Sequence, residues 1–147
     1  MNFSLRQANQ SDQRRIRSLV RQVRINPTGL DWRRFIIAVT SGGELIGCGQ
    51  VKTHADGSRE LASIAVSPEY RGEGVARAII EHLINVFPKP IYLTCRANLT
   101  PFYQRFGFQT IQNEQMPLYY RRISRLALIF FWFTRNKEGL SIMVIQS

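Results

Sequence analysis

The chain is short of the residues that build metal centres and covalent catalytic sets. It has two cysteines and two histidines in 147 residues. Cys48 and Cys95 stand far apart, each inside an apolar run, with no CxxC or Cys/His ligand spacing. Neither His54 nor His82 has a metal-type neighbour in sequence, so no metal site is expected. No Ser-His-Asp or Cys-His set points to a covalent intermediate. Reduced, buried thiols fit a cytoplasmic protein. Met1–Gln10 lacks the apolar stretch of a signal peptide, and the run Leu126–Phe133 is shorter than the roughly 20 residues of a membrane span. A cytoplasmic location is the resulting expectation. Lysine is scarce too, limited to Lys52, Lys89 and Lys137, while Lys and Arg together number 20 against 10 acids.

What is present is arginine, which supplies nearly all of a net charge of +10. Its planar fork binds phosphate and carboxylate through paired hydrogen bonds, so an anionic partner, cofactor or substrate is expected. Nucleic acid is not expected: no recognised binding motif occurs, and the aromatics lie mostly in apolar runs. Composition is ordinary for a globular protein, 44% hydrophobic and 20% charged, and the length suits one domain over residues 1–147.

Residues 3–7 alternate weakly as an edge strand. Ser11 or Asp12 is placed to cap a helix whose apolar stripe is Ile16, Leu19, Val20 and Val23. Phe35–Val39 and Glu44–Val51 flank Ser41-Gly42-Gly43 and read as a hairpin. After the turn His54-Ala55-Asp56-Gly57, a third strand is expected over Glu60–Val66. From Val75 the period becomes helical up to Pro88, and Ile91–Cys95 returns as a strand. A helix between two strands makes a crossover, which predicts that they are parallel neighbours. Thr100-Pro101 starts a short helix ending at Gly107, Phe108–Ile111 and Leu140–Ile145 are strands, and 117–134 is an extra helical segment. The sum is a mixed sheet in an α/β (α+β) domain.

The sharpest feature is Val66-Ser67-Pro68-Glu69-Tyr70-Arg71-Gly72-Glu73-Gly74-Val75-Ala76. A strand ends, glycines follow, and a helix begins. Its first N–H groups are unpaired and carry the positive end of the dipole, so the loop is a cradle for phosphate. It is not a Walker A loop, since no lysine follows Gly74, and not a dinucleotide GxGxxG, since Arg77 stands at the last glycine.

The pattern R-G-x-G-x-A resembles the acyl-CoA signature of the GNAT superfamily of N-acetyltransferases, [QR]-x-x-G-x-[GA], with Arg71, Gly74 and Ala76 on its fixed positions. PFYQRFGF at Pro101–Phe108 resembles the family's second segment, "FYxxxGF". The resemblance covers roughly residues 3–111 and the last strand. It implies a mainly antiparallel central sheet with helices on both faces and a parallel pair at the cofactor site. It implies acetyl-CoA as co-substrate, with its pyrophosphate on the amides of Arg71, Gly72, Glu73, Gly74, Val75 and Ala76. Ser63 and the strand residues Ile64, Ala65 and Val66 would offer backbone groups to the pantetheine, and Asn98 is a weaker cofactor contact. By the same resemblance Tyr103 is the acid that protonates the departing thiolate, and Glu60, eleven residues before Arg71, is the base that frees the amine.

The alternatives for these side chains are ordinary ones: Glu60 in an ion pair with Arg59 or another arginine, Tyr103 packed with its hydroxyl on the backbone, and Asn98 as a turn residue. The implied activity is direct acetyl transfer to a primary amine of a small molecule or protein. A CoA-binding sensor without turnover is the alternative. The basic surface disfavours polyamines and very basic tails as acceptors. The segment 117–134, basic then aromatic, reads as packed in a core or a homodimer in preference to a peripheral membrane contact.

Overall fold

In a computed structural model, the structure describes residues 1–134 and 139–147. The fold is mixed α/β, a seven-stranded, mostly antiparallel sheet in which, among the described residues, β4 (Arg59–Val66) and β5 (Ile91–Arg96) make the parallel pair. The chain gathers into two compact units, Met1–Lys52 with Leu61–Phe87, and Thr53–Glu60 with Pro88–Ser147.

In the first unit β1 (Phe3–Gln7), β2 (Phe35–Thr40), β3 (Leu45–Thr53) and β4 follow one another as neighbours. β2 pairs antiparallel with β1 through Leu5 and Ala38, and with β3 through Ile37 and Cys48. Strand alternation sends successive side chains to opposite faces. On one face Phe35, Ile37, Val39 and Cys48 bury against Ile16, Leu19 and Val20 of α1 (Gln13–Gln22). On the other, Gly47 and Gly49 lie under Val75, Ile79 and Leu83 of α2 (Val75–Val86). The expectation of helices on both faces therefore holds within this unit.

The two β3 glycines set how closely α2 approaches. A Cβ at Gly49 would stand 2.6 Å from Cδ1 of the half-buried Ile64 and 2.7 Å from Cγ2 of the fully buried Ile79. Gly49→Ala is expected to cost about 1–3 kcal/mol by overpacking, read as a lower midpoint in urea unfolding at an unchanged slope.

The start of α1 differs from the expected cap. Asp12 makes no side-chain capping bond to the amides of α1; Asn9 instead accepts from the Ser11 amide and caps the short turn Gln10–Asp12. The Asp12 carboxylate, fully buried, accepts from Arg6 at 2.7 and 3.1 Å, from Arg15 at 2.5 Å and from the Asn9 amide at 2.9 Å. The Arg6 hydrogen bond, opposed by burial, leads in holding its pKa at about 2. A buried carboxylate needs charged partners more than a helix end needs a cap.

In the second unit β7 (Leu140–Ile145) lies between β5 and β6 (Gln109–Thr110) and is antiparallel to both, with Leu93 opposite Met143 and Gln109 opposite Val144. Glu60 pairs in parallel with Tyr92, as the crossover predicts. α3 (Thr100–Gln104) is shorter than the expected two turns, and its Thr100 hydroxyl reaches Ser141 Oγ at 3.3 Å instead of capping. Gly107 takes φ +99, the left-handed conformation expected after a helix. α4 (Leu118–Thr134) is the extra helical segment. Its side chains from 127 to 134 lie outside the described residues, and with them the expectation of a core, dimer or membrane role for the aromatic run. No helix among the described residues is long and apolar enough to cross a membrane.

Candidate active site

The anion cradle forms in the first unit, where β4 runs into α2. Ser63, inside β4, takes φ +58, a left-handed conformation that a non-glycine residue adopts only when its surroundings enforce it. Here the fully buried Gln50 donates from Nε2 to Ser63 Oγ at 2.9 Å, and Cys48 Sγ donates to Ser63 O at 3.6 Å. The kink stands immediately before Ile64, Ala65 and Val66. The strand's far end is fixed by Ser67 N–H donating to Ile46 O at 2.8 Å.

The loop is tied through Tyr70 to the turn that precedes β3. Tyr70 donates its hydroxyl to Glu44 at 2.7 Å, and that bond leads in raising the phenol pKa. Arg71, Gly72, Glu73 and Gly74 are all exposed. Gly72 and Gly74 have φ +81 and +80, which any side chain would strain, and nothing lies within 4 Å of where their Cβ atoms would be. Gly74 is the N-cap of α2 and supplies no side-chain cap, so the first amides of a twelve-residue helix are left for an external acceptor. Val75 is buried beneath the loop and Ala76 half-buried, anchoring its helical side. Open space, uncapped amides and an exposed arginine fit a diphosphate.

In the second unit, Tyr103 lies on α3 with Phe102 and Phe108 edge-on at centroid distances of 5.1 and 6.2 Å. Burial pushes its phenol up to about 12, and the nearby Cys95, once ionised at high pH, acts in the same direction. Its hydroxyl makes no hydrogen bond among the described residues, which departs from the ordinary fate of a backbone-bonded tyrosine. Asn98 is exposed in the single turn Ala97–Leu99. Burial raises both thiols, Cys48 to about 12, which keeps them from acting as thiolates at neutral pH.

The partner that the described residues give Glu60 is a histidine. Glu60 Oε2 lies 2.5 Å from His54 Nε2, and the two side chains are only 12% and 13% exposed. Two lone pairs cannot face each other at that distance, so one proton lies between them, and an ionised carboxylate takes it from Nε2–H. In the sequence His54 has no metal-type neighbour, and that spacing gives no sign of its pairing with Glu60. The signal was the turn His54-Ala55-Asp56-Gly57, which folds residue 54 back on 58 (His54 N–H to Ser58 O, 2.9 Å) and brings Glu60 within reach. Among the described residues no cluster of His, Cys, Asp and Glu could hold a metal.

A glycine loop that opens a helix after a kinked strand, on a mixed sheet, defines an anion-binding α/β domain. The GNAT acetyltransferase domain profile matches residues 31–110, more than half of the chain, and the chain belongs to that family. Acetyl-CoA is the family's usual co-substrate. No curated protein matches the sequence. Among solved structures, N-acetylglutamate synthase from Neisseria gonorrhoeae, complexed with coenzyme A and N-acetyl-glutamate, is similar at 22% identity and a TM-score of 0.75 over 99% of this chain. This chain spans 35% of that enzyme's length. The Rv2747 protein of Mycobacterium tuberculosis, in complex with CoA, shares 22% identity with a TM-score of 0.73, covering 98% of this chain and 99% of its own. The ribosomal-protein-S18-alanine N-acetyltransferase from Escherichia coli has 18% identity and a TM-score of 0.70, covering 99% and 94%. At these identities the likeness is one of fold.

Proposed function

We propose that the chain transfers an acetyl group from acetyl-CoA directly to a primary amine of a small molecule or protein. The observation that carries this reading is the open, uncapped glycine cradle at the start of α2 in a member of an acetyltransferase family. Acetyl-CoA supplies the acetyl group as an activated thioester. The amides from Arg71 to Ala76 hold its diphosphate, and Ile64–Val66 line up the extended pantetheine by strand-like pairing. Glu60 accepts a proton from the acceptor ammonium, because only the neutral amine attacks a carbonyl. Tyr103 donates its phenolic proton to the departing sulfur as the carbon–sulfur bond breaks, and the proton shed by the new amide nitrogen restores the phenol. Both thiols are buried and held protonated, so neither is offered as an acyl carrier, and one direct transfer step suffices.

Melting with and without acetyl-CoA tests the cofactor reading. A ligand that binds only the folded chain at 100 times its Kd adds about 2.7 kcal/mol, which for this length raises Tm by roughly 5–10 °C. Adenosine diphosphate is the charge control and is expected to give a smaller rise. Absence of any shift at saturating acetyl-CoA would overturn the reading. A shift without thiol release across an amine panel would favour a sensor.

A further inference from the structure

The turn before Glu60 and the start of α4 are built into one another. Asp56 uses one carboxylate oxygen for its own turn, accepting from Ser58 N–H at 2.9 Å and Ser58 Oγ at 2.6 Å. Its other oxygen accepts from the Tyr119 amide at 3.1 Å, in the first turn of α4, where a negative charge is favoured. Tyr119 lays its ring flat on the His54 imidazole, with centroids 3.5 Å apart and planes 16° apart. Tyr120 meets the same imidazole edge-on at 6.1 Å. Tyr120 is fully buried and its hydroxyl has no partner among the described residues, a cost accepted at a place packed around Glu60 and His54.

We infer that His54 is a positioning residue for the base Glu60, and that the first turn of α4 clamps the imidazole in the orientation that work requires. The inference rests on the reading of Glu60 as base. Three features agree on it. The imidazole Nε2–H holds one carboxylate oxygen, which leaves the other to take the acceptor's proton. Ring stacking fixes the imidazole plane. Asp56 ties the turn that carries His54 to the helix that carries Tyr119. Without the clamp, a carboxylate on a turn-proximal strand end swings between rotamers, and misplacing a reacting group by about 1 Å can cost about 100-fold in rate. A segment beyond the family's minimal motifs thereby acquires a part in the chemistry.

The test uses the full chain labelled with 15N-histidine, and exposed His82 serves as an internal reference. The His54 ring is expected to show one tautomer with a protonated Nε2. That signature should collapse in Tyr119→Ala, persist in Tyr119→Phe, and change in Glu60→Gln, with His82 unmoved in all three. Unchanged His54 nitrogens in Tyr119→Ala would overturn the clamp whether or not an acceptor has been found. The kinetic arm uses acetyl-CoA with the fastest amine of a panel of free amino acids and N-terminal tetrapeptides. His54→Phe keeps the stacking ring but loses the donor, and kcat is expected to fall about 10-fold to 100-fold at unchanged KM for acetyl-CoA. His54→Gln returns an N–H near the Nε2 position and should recover most of that loss. If Glu60→Gln is slow while His54→Phe runs at the wild-type rate, the positioning role is wrong and the base stands. Glu60→Gln at the wild-type rate would overturn the base itself and this inference with it.

Discussion

Gly74→Glu is expected to abolish the stabilisation by acetyl-CoA and to leave a folded protein. The position is exposed, and nothing lies within 4 Å of its hypothetical Cβ, so the new side chain displaces no neighbour. The cost to the fold is the left-handed backbone at φ +80, about 1–2 kcal/mol for a residue with a Cβ. The cost to binding is larger. The carboxylate occupies the helix N-terminus that the diphosphate needs and repels it there. Hydrogen bonds to a charged group are worth about 1.5–3 kcal/mol each, so loss of two lowers affinity at least about 100-fold. Gly43→Glu separates strain from occupancy. Gly43 has φ +86 and equally open surroundings, but it belongs to the turn between β2 and β3. It should lose similar stability and keep acetyl-CoA affinity, as measured by calorimetry. Equal affinity in Gly74→Glu and wild type would remove the loop from the binding site.

If Tyr103 is the general acid, Tyr103→Phe is expected to lower kcat about 100-fold, the lower end of what a general acid contributes, while acetyl-CoA affinity stays within about threefold. Burial raises the phenol to about 12, so it carries its proton throughout the range of an ordinary assay. Its hydroxyl serves no other described residue, so removing it orphans no partner and stability should be nearly unchanged at neutral pH. The sign at high pH follows from linkage. A folded-state value above the ordinary 10 contributes stability that is fully present below pH 10 and is lost as pH rises through about 12. The wild type should therefore lose stability over that window that Tyr103→Phe keeps. A wild-type kcat in Tyr103→Phe would leave the tyrosine as packing alone.

Elements that depend on neighbours along the chain were legible from the residues. Ile16, Leu19 and Val20 recur at helical steps, and all three are buried in α1. Glycines before an apolar helical stripe marked the start of α2 at Val75, and the crossover rule placed β4 and β5 in parallel. Contacts between distant residues were not legible. Asp12 resembles a helix cap, yet Arg6 and Arg15 claim its carboxylate. The last strand, β7, inserts between β5 and β6, a pairing that nothing in its own alternation specifies. Arg59 beside Glu60 looked like its natural partner, and His54 took that place because the turn folds back.

The amino-acid sequence by itself determined the element types, the glycine cradle and the family, because each rests on local backbone preference or on a contiguous motif. Only the tertiary structure decided what the buried carboxylates of Asp12 and Glu60 pair with, that Ser63 is forced into a left-handed kink, and that Tyr119 stacks on His54. Those choices are made by burial, which obliges a charged or polar group to take whichever complementary partner the folded chain brings within about 3 Å.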